Sequence, residues 1–249
     1  MSNSSVKPDL TRIAQQLEAL EETIISKLID RAQFRVNDTA YKRGESGFDG
    51  AADQSLLDLR LKYQERMDAQ FGRFYVPEER PFNKDLPRSR RKVSLPPTCL
   101  KLDDYDVINL CGDIKNAYLE LLPRMCRGGD DGQYGSSVEH DVYAFQAIAR
   151  RVHFGALYVA ESKFLEDIPR YRTLIRDKDT DKLLQKLTRT DIEERIIERV
   201  AEKVDQMQAF TNRQIRHVIS PAVILSFYRD VIIPMTKKGE ILYLLNRKD

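Results

Sequence analysis

The sequence predicts an all-α protein, and three observations carry that reading. Apolar residues recur at steps of three and four through most of the chain, and no stretch keeps a strand's period of two for long. Glycine (11) and proline (10) fall below the roughly 12% of average usage, which disfavours a turn-rich β fold. The 249 residues are 41% hydrophobic and 32% charged, enough to bury a core and to solvate the outer faces of helices.

Each element has its own signal. Ile13, Leu17, Leu20, Ile24 and Leu28 form one stripe, so a first helix should start after an Asp9 N-cap and run to about Phe34. A polar, glycine-bearing stretch follows. Leu56, Leu57, Leu59, Leu61 and Tyr63 then open a second helical segment ending near Phe74. Five prolines and the basic run Arg88-Ser89-Arg90-Arg91-Lys92 make residues 77–101 a connecting loop. Helical spacing resumes from Val107 to Leu121 and should end at Pro123 and the glycine-rich turn beyond it.

Residues 138–164 read as one long helix. After Pro169, shorter runs at 171–175, 182–187 and 192–204 carry Glu/Arg pairs three or four apart. Ser220-Pro221 should open a last helix that kinks at Pro234 and ends near Leu245. Residues 1–249 are thus expected to form a single-domain helical bundle with long central and C-terminal helices and no fixed-length repeat.

Composition excludes several function classes. The formal charge is only +2, so the balance calls for no nucleic acid or anionic membrane, and the basic run at 88–92 lacks interleaved aromatics. Cys99, Cys111 and Cys126 are odd in number and without Cys-x-x-Cys spacing, which suits reduced thiols in a cytoplasmic protein. No window approaches 18 apolar residues, and the N-terminus lacks a signal peptide's apolar core. His140, His153 and His217 lie on separate segments away from ligand-spaced Cys or carboxylates, so no metal is expected and the histidines read as structural. Hydrolase, dinucleotide and Walker-type motifs are missing.

The informative polar groups sit where helices should pack. Arg150, Arg151 and Lys163 share the long helix with Val152, Phe154, Val159 and Phe164, while Thr236 and Glu240 are four apart on one face of the last helix. Cations and a carboxyl sharing a bundle interior would suit a small dianion. From spacing alone, solvated faces and structural ion pairs remain the competing explanation.

The segments LEALEETIISKLIDRAQF (17–34), GGDDGQYGSS (128–137), RRVHFG (150–155), VAESKF (159–164), DIPRY (167–171), IEERIIERV (192–200) and VIIPMTKKGEILYLLNR (231–247) together resemble the all-helical chorismate mutases of fungi and plants. The resemblance covers nearly the whole chain. It implies a homodimer that rearranges chorismate, a dianion, to prephenate on the branch to phenylalanine and tyrosine, without cofactor. By position, Arg151 is similar to the carboxylate-clamping arginine, and Lys163 to the lysine that reaches the ether oxygen and a carboxylate. Glu193 matches the glutamate that bonds the substrate hydroxyl, Thr236 a threonine near a carboxylate, and Glu240 the second donor to the ether oxygen. Glu240 could donate only when protonated, so burial should raise its pKa.

Four departures accompany the resemblance. Ala14 stands where the family carries a second carboxylate-clamping arginine; Arg12 is close in sequence but about 200° around the helix. Arg189 replaces an asparagine and could substitute for the lost cation from another wall. One extra residue within GALYV (155–159) spaces Arg151 and Lys163 by twelve, about 120° on a regular helix, where the family's eleven gives about 20°. A single π turn near residues 155–158 would restore the shared face. At the family's effector site for aromatic amino acids, Arg73, Gly135 and Ser136 remain, while Gly72 and Glu139 replace an arginine and a threonine. These departures leave two expectations: a mutase with a modified pocket, or a mutase-fold homologue whose activity is lost or turned to a binding role or a related chorismate-derived acid.

Overall fold

The computed structural model describes residues 8–248, and all regular structure among them is helical. The described residues hold ten α-helices: α1 Leu10–Arg31, α2 Leu56–Gln70, α3 Cys111–Met125, α4 Tyr134–Phe154, α5 Ala160–Glu166, α6 Ile168–Arg176, α7 Thr180–Leu187, α8 Thr190–Gln208, α9 Pro221–Phe227 and α10 Ile233–Asn246. A π turn at Gly155–Val159 joins α4 to α5, and a second at Tyr228–Ile232 joins α9 to α10. Both long rods therefore run on through a widened turn instead of breaking.

Local chemistry sets the boundaries. Asp9 caps α1, its carboxylate accepting from the Thr11 and Arg12 amides at 3.0 and 3.2 Å. The helix stops at Arg31, three residues short of the expected end. There the buried guanidinium donates to the carbonyls of Phe34, Arg35 and Val36 and to Asp141 at 2.6 Å, wrapping the chain around itself. Ser55 and Asp58 form a reciprocal capping box for α2, which ends at Gln70 before a 3₁₀ turn at Arg73–Tyr75. Residues 77–101 form the connecting loop without regular structure.

Three expected features are corrected. The helix expected from Val107 is a 3₁₀ turn, Tyr105–Ile108, followed by α3, because the Asn109 side chain caps the Cys111 amide and restarts the helix. Pro123 lies inside the last turn of α3, which survives through the Cys126 amide bonding Leu122 O at 2.9 Å. The kink expected at Pro234 is instead the π turn before it, and Pro234 follows directly in the first turn of α10. Ser220 precedes Pro221 as expected but makes no side-chain cap bond.

One apolar core, including Ile24, Leu28, Tyr118, Phe145, Ile148, Val204 and Tyr228, lies between α1, α3, α4, α8 and α9. A second packs the α4–α5 π turn against α6, α7 and α10 through Leu157, Phe164, Leu174, Leu183 and Leu244. The candidate site lies where α1, the π turn, α8 and α10 converge. Arg199 grips the buried Glu21 carboxylate with two bonds, at 2.9 and 2.7 Å, and so pins α8 to α1 behind it.

Candidate active site

A cavity of about 340 Å³ opens between these elements. The α4 helix delivers Arg151 to its floor, where the residue is only 2% exposed. Arg151 Nη1 donates to Thr236 Oγ1 at 2.7 Å, and Thr236 passes a bond to the Ile232 carbonyl one helical turn earlier. Among the described residues no carboxylate lies within ion-pair distance of Arg151, and its Nε has no partner. Burial pushes its pKa down, Glu21 and Glu240 opposing from a distance. A buried cation left this way is costly to the fold, and is the mark of a position kept for an anion.

The π turn decides where the next cation falls. Lys163 lines the same cavity as Arg151 despite the twelve-residue spacing, because Gly155–Val159 is wound as a π turn. Its ammonium donates to Glu240 Oε2 at 2.9 Å and to the Leu187 carbonyl at 2.7 Å. Glu240 is 3% exposed, and burial raises its carboxyl above the ordinary range while Lys163 and Arg151 pull the other way. Gly155 permits the close approach of α10: a Cβ there would stand 2.7 Å from Thr236 Cγ2.

The remaining walls mix charge and apolar surface. Glu193, in the first turn of α8, faces the cavity with its carboxylate held by Lys237 Nζ at 3.0 and 3.2 Å. Arg189 lines the mouth and donates to Glu166 Oε2 at 2.5 Å. The α1 wall consists of Leu10, Ile13, Ala14 and Leu17, with no donor. Arg12 does not reach this cavity; the helical period carries it into a separate one of about 550 Å³ with Tyr75, Glu78 and Tyr158. Arg150, next to Arg151, points outward and lies 3.3 Å from Glu79.

Lys237, Glu166 and Ser162 line the cavity and escape the sequence reading. Two signals were available: Lys237 adjoins Thr236, and Glu166 lies one helical turn beyond Lys163. The histidines serve the fold. His153 is buried, accepts the Leu110 amide at 3.0 Å, and is pushed down to about 3 by burial and Arg80. His217 bonds the Met125 carbonyl and His140 packs on Phe34. Among the described residues no cluster of His, Cys, Asp or Glu could hold a metal ion.

The Arg73 guanidinium is taken by Asp68, Glu79 and Gln146 of its own chain, at 2.8 to 3.0 Å. Gln146 lies ten residues along α4 from Ser136, about 15 Å, so the chain does not bring Arg73 to Gly135 and Ser136.

No protein-family model matches the chain. The Saccharomyces cerevisiae chorismate mutase is 31% identical over 244 residues, spanning 96% of this chain and 95% of that protein. The chain belongs to the chorismate mutase family. Petunia hybrida chorismate mutase 2 is 34% identical over 251 residues, covering 98% of this chain and 94% of its own. The crystal structure of the Candida albicans chorismate mutase in complex with L-Trp superposes with a TM-score of 0.89 at 34% identity, over 100% of this chain and 97% of that one. The chloroplast chorismate mutase of Zea mays gives 0.83, also at 34%, over 98% and 96%. The all-helical architecture is the one shared with these chorismate mutases, and no described helix is long and apolar enough to cross a membrane.

Proposed function

We propose that the protein is an isomerase converting chorismate to prephenate, and that it works as a cytoplasmic homodimer. The observation that carries this reading is a buried Arg151 without an anion, opening with Lys163, Thr236 and Glu240 into one cavity of about 340 Å³. The reaction is a rearrangement within one molecule, in which an ether C–O bond breaks as a C–C bond forms. It needs no nucleophile. What it needs is a folded substrate conformer and donors aimed at the ether oxygen as charge develops there.

Arg151 and Thr236 would fix one carboxylate on the floor of the cavity. Lys163 and protonated Glu240, already 2.9 Å apart, would donate to the ether oxygen, each oriented donor lowering the barrier by about 2–4 kcal/mol. Glu193 would accept the ring hydroxyl. Dimerisation is supported by the outer face of α2, where Tyr63, Met67 and Phe71 fall four apart and stay exposed, with Phe48 stacked on Tyr63. Cytoplasmic placement is supported by three free thiols. An aromatic amino acid effector at Arg73 would have to displace Asp68 or Glu79.

The second reading, a homologue turned to a related chorismate-derived acid, is favoured by the donor-free α1 wall around Ala14. A chorismate-consumption assay with prephenate identified as product separates the two, run on the wild type and on Ala14→Arg. Turnover by the wild type supports the mutase. Turnover only after Ala14→Arg supports the alternative.

A further inference from the structure

We propose that Arg189 and Glu166 form a latch at the cavity mouth, opened when the substrate's second carboxylate takes Arg189 from Glu166, so that Glu166 acts as a built-in competitor setting the KM. This rests on the mutase reading of the same cavity and names how its second carboxylate is received.

A dianion brings two carboxylates, and the floor supplies a cation for one. The α1 wall offers the second only Leu10, Ile13, Ala14 and Leu17, and a desolvated carboxylate there would be unpaired. Three other cations line the cavity, and they differ in how firmly they are held. Lys163 is bound by a buried carboxylate and a backbone carbonyl. Lys237 is shared between both oxygens of Glu193 and has a further contact to Thr188 Oγ1 at 3.5 Å. Arg189 has a single bond, to Glu166, and both side chains are close to half exposed at 49% and 41%. Exposed pairs are weakly held because water screens them, so Arg189 is the cation that costs least to recruit.

Position agrees with energetics. Arg189 lies two residues after Leu187, whose carbonyl accepts from Lys163, and Glu166 is one turn beyond Lys163 on α5, so Lys163, Glu166 and Arg189 lie on one rim. A guanidinium freed there can grip a carboxylate with two parallel bonds. Charge also agrees: the cations Arg151, Lys163, Arg189 and Lys237 face the carboxyls of Glu166, Glu193 and Glu240, so the lining is net positive whether Glu240 is ionised or protonated, as a dianion requires. Glu166 must give way for Arg189 to turn inward, so removing its charge should help binding.

The test measures chorismate KM and kcat, with prephenate affinity by calorimetry, for the wild type, Arg189→Ala, Glu166→Gln and Arg189→Ala combined with Ala14→Arg. Arg189→Ala is expected to raise KM and weaken prephenate binding about ten- to hundredfold, the scale of a lost charged hydrogen bond. Glu166→Gln should lower both constants about two- to fivefold, the scale of an exposed ion pair, a gain that a folding defect cannot imitate. Ala14→Arg should recover most of the loss by offering the carboxylate a cation on α1. The latch is overturned if Arg189→Ala leaves KM and prephenate affinity unchanged, or if Glu166→Gln weakens binding. Should the wild type not turn chorismate over, the mutase reading falls and the latch is judged on prephenate affinity alone; if prephenate does not bind either, both fall.

Discussion

At the scale of single residues, the site depends on two groups held against their preferences. Glu240 is buried, so its pKa is raised, and Lys163 at 2.9 Å is the main force opposing that rise. An acid raised in this way holds its proton longer in the folded chain. Its contribution to stability is therefore complete below the ordinary carboxylate pKa of 4.5 and is lost as pH climbs through the raised value. Activity follows the same sign: turnover should fall as pH rises through the Glu240 pKa, and Glu240→Gln should flatten the profile of kcat/KM. A mutant keeping the wild-type pH dependence would remove Glu240 from its role as donor. Arg151 gives a contrasting prediction. A buried cation without an anion destabilises the empty protein, so Arg151→Met should raise the unfolding free energy by about 1–3 kcal/mol while abolishing measurable turnover. Denaturant titration beside the activity assay checks both halves, and a variant that is both less stable and inactive would show that Arg151 serves the fold.

At the scale of elements, the site is made by an irregular turn and the glycine inside it. Set beside the eleven-residue spacing of the family it resembles, the twelve-residue gap between Arg151 and Lys163 made a π turn legible in the sequence, since a regular helix would have turned the lysine away by about 120°. The end of α1 was not legible, because its stop comes from the Arg31 guanidinium meeting carbonyls beyond the helix and Asp141, 110 residues away. Nor was the second π turn, since Pro234 drew attention to itself while the widened turn lies before it. Gly155 tests the packing. Glycine to alanine within a helix ordinarily stabilises by about 1 kcal/mol. Here the new Cβ would stand 2.7 Å from Thr236 Cγ2 and 3.6 Å from Arg151 Nη1, inside the pair proposed to hold the first carboxylate. Gly155→Ala should therefore destabilise by about 1–3 kcal/mol and raise the KM for chorismate at least tenfold. An unfolding midpoint at or above wild type would mean that α10 moves aside more easily than this geometry allows.

At the scale of the whole molecule, what the sequence carried was periodicity and what it lacked was pairing across distance. The apolar stripes on α1, α4 and α8 bury as their spacing demands, and Arg151, Lys163, Thr236 and Glu240 meet because each lies on the inner face of a long helix. The Arg189–Glu166 and Lys237–Glu193 pairs join residues 23 and 44 apart on different elements, and no local pattern announces such partners. The outer face of α2 raises the converse case, a pattern without a partner. Tyr63 and Met67 on α2 and Phe71 at its C-terminal cap are 57%, 49% and 69% exposed, large side chains aligned four apart on the face of α2 turned toward solvent. A second copy of the same face would bury them around a two-fold axis. Sedimentation of the wild type at micromolar concentration should give twice the chain mass, and Met67→Lys with Phe71→Asp should give one. Since Arg151, Lys163, Thr236 and Glu240 already meet within one chain, the separated variant should keep kcat within about tenfold, while its thermal midpoint loses the dependence on protein concentration that dimerisation imposes. A variant that stays dimeric would move the interface off α2, and a monomeric wild type would leave that apolar row without the partner argued for it.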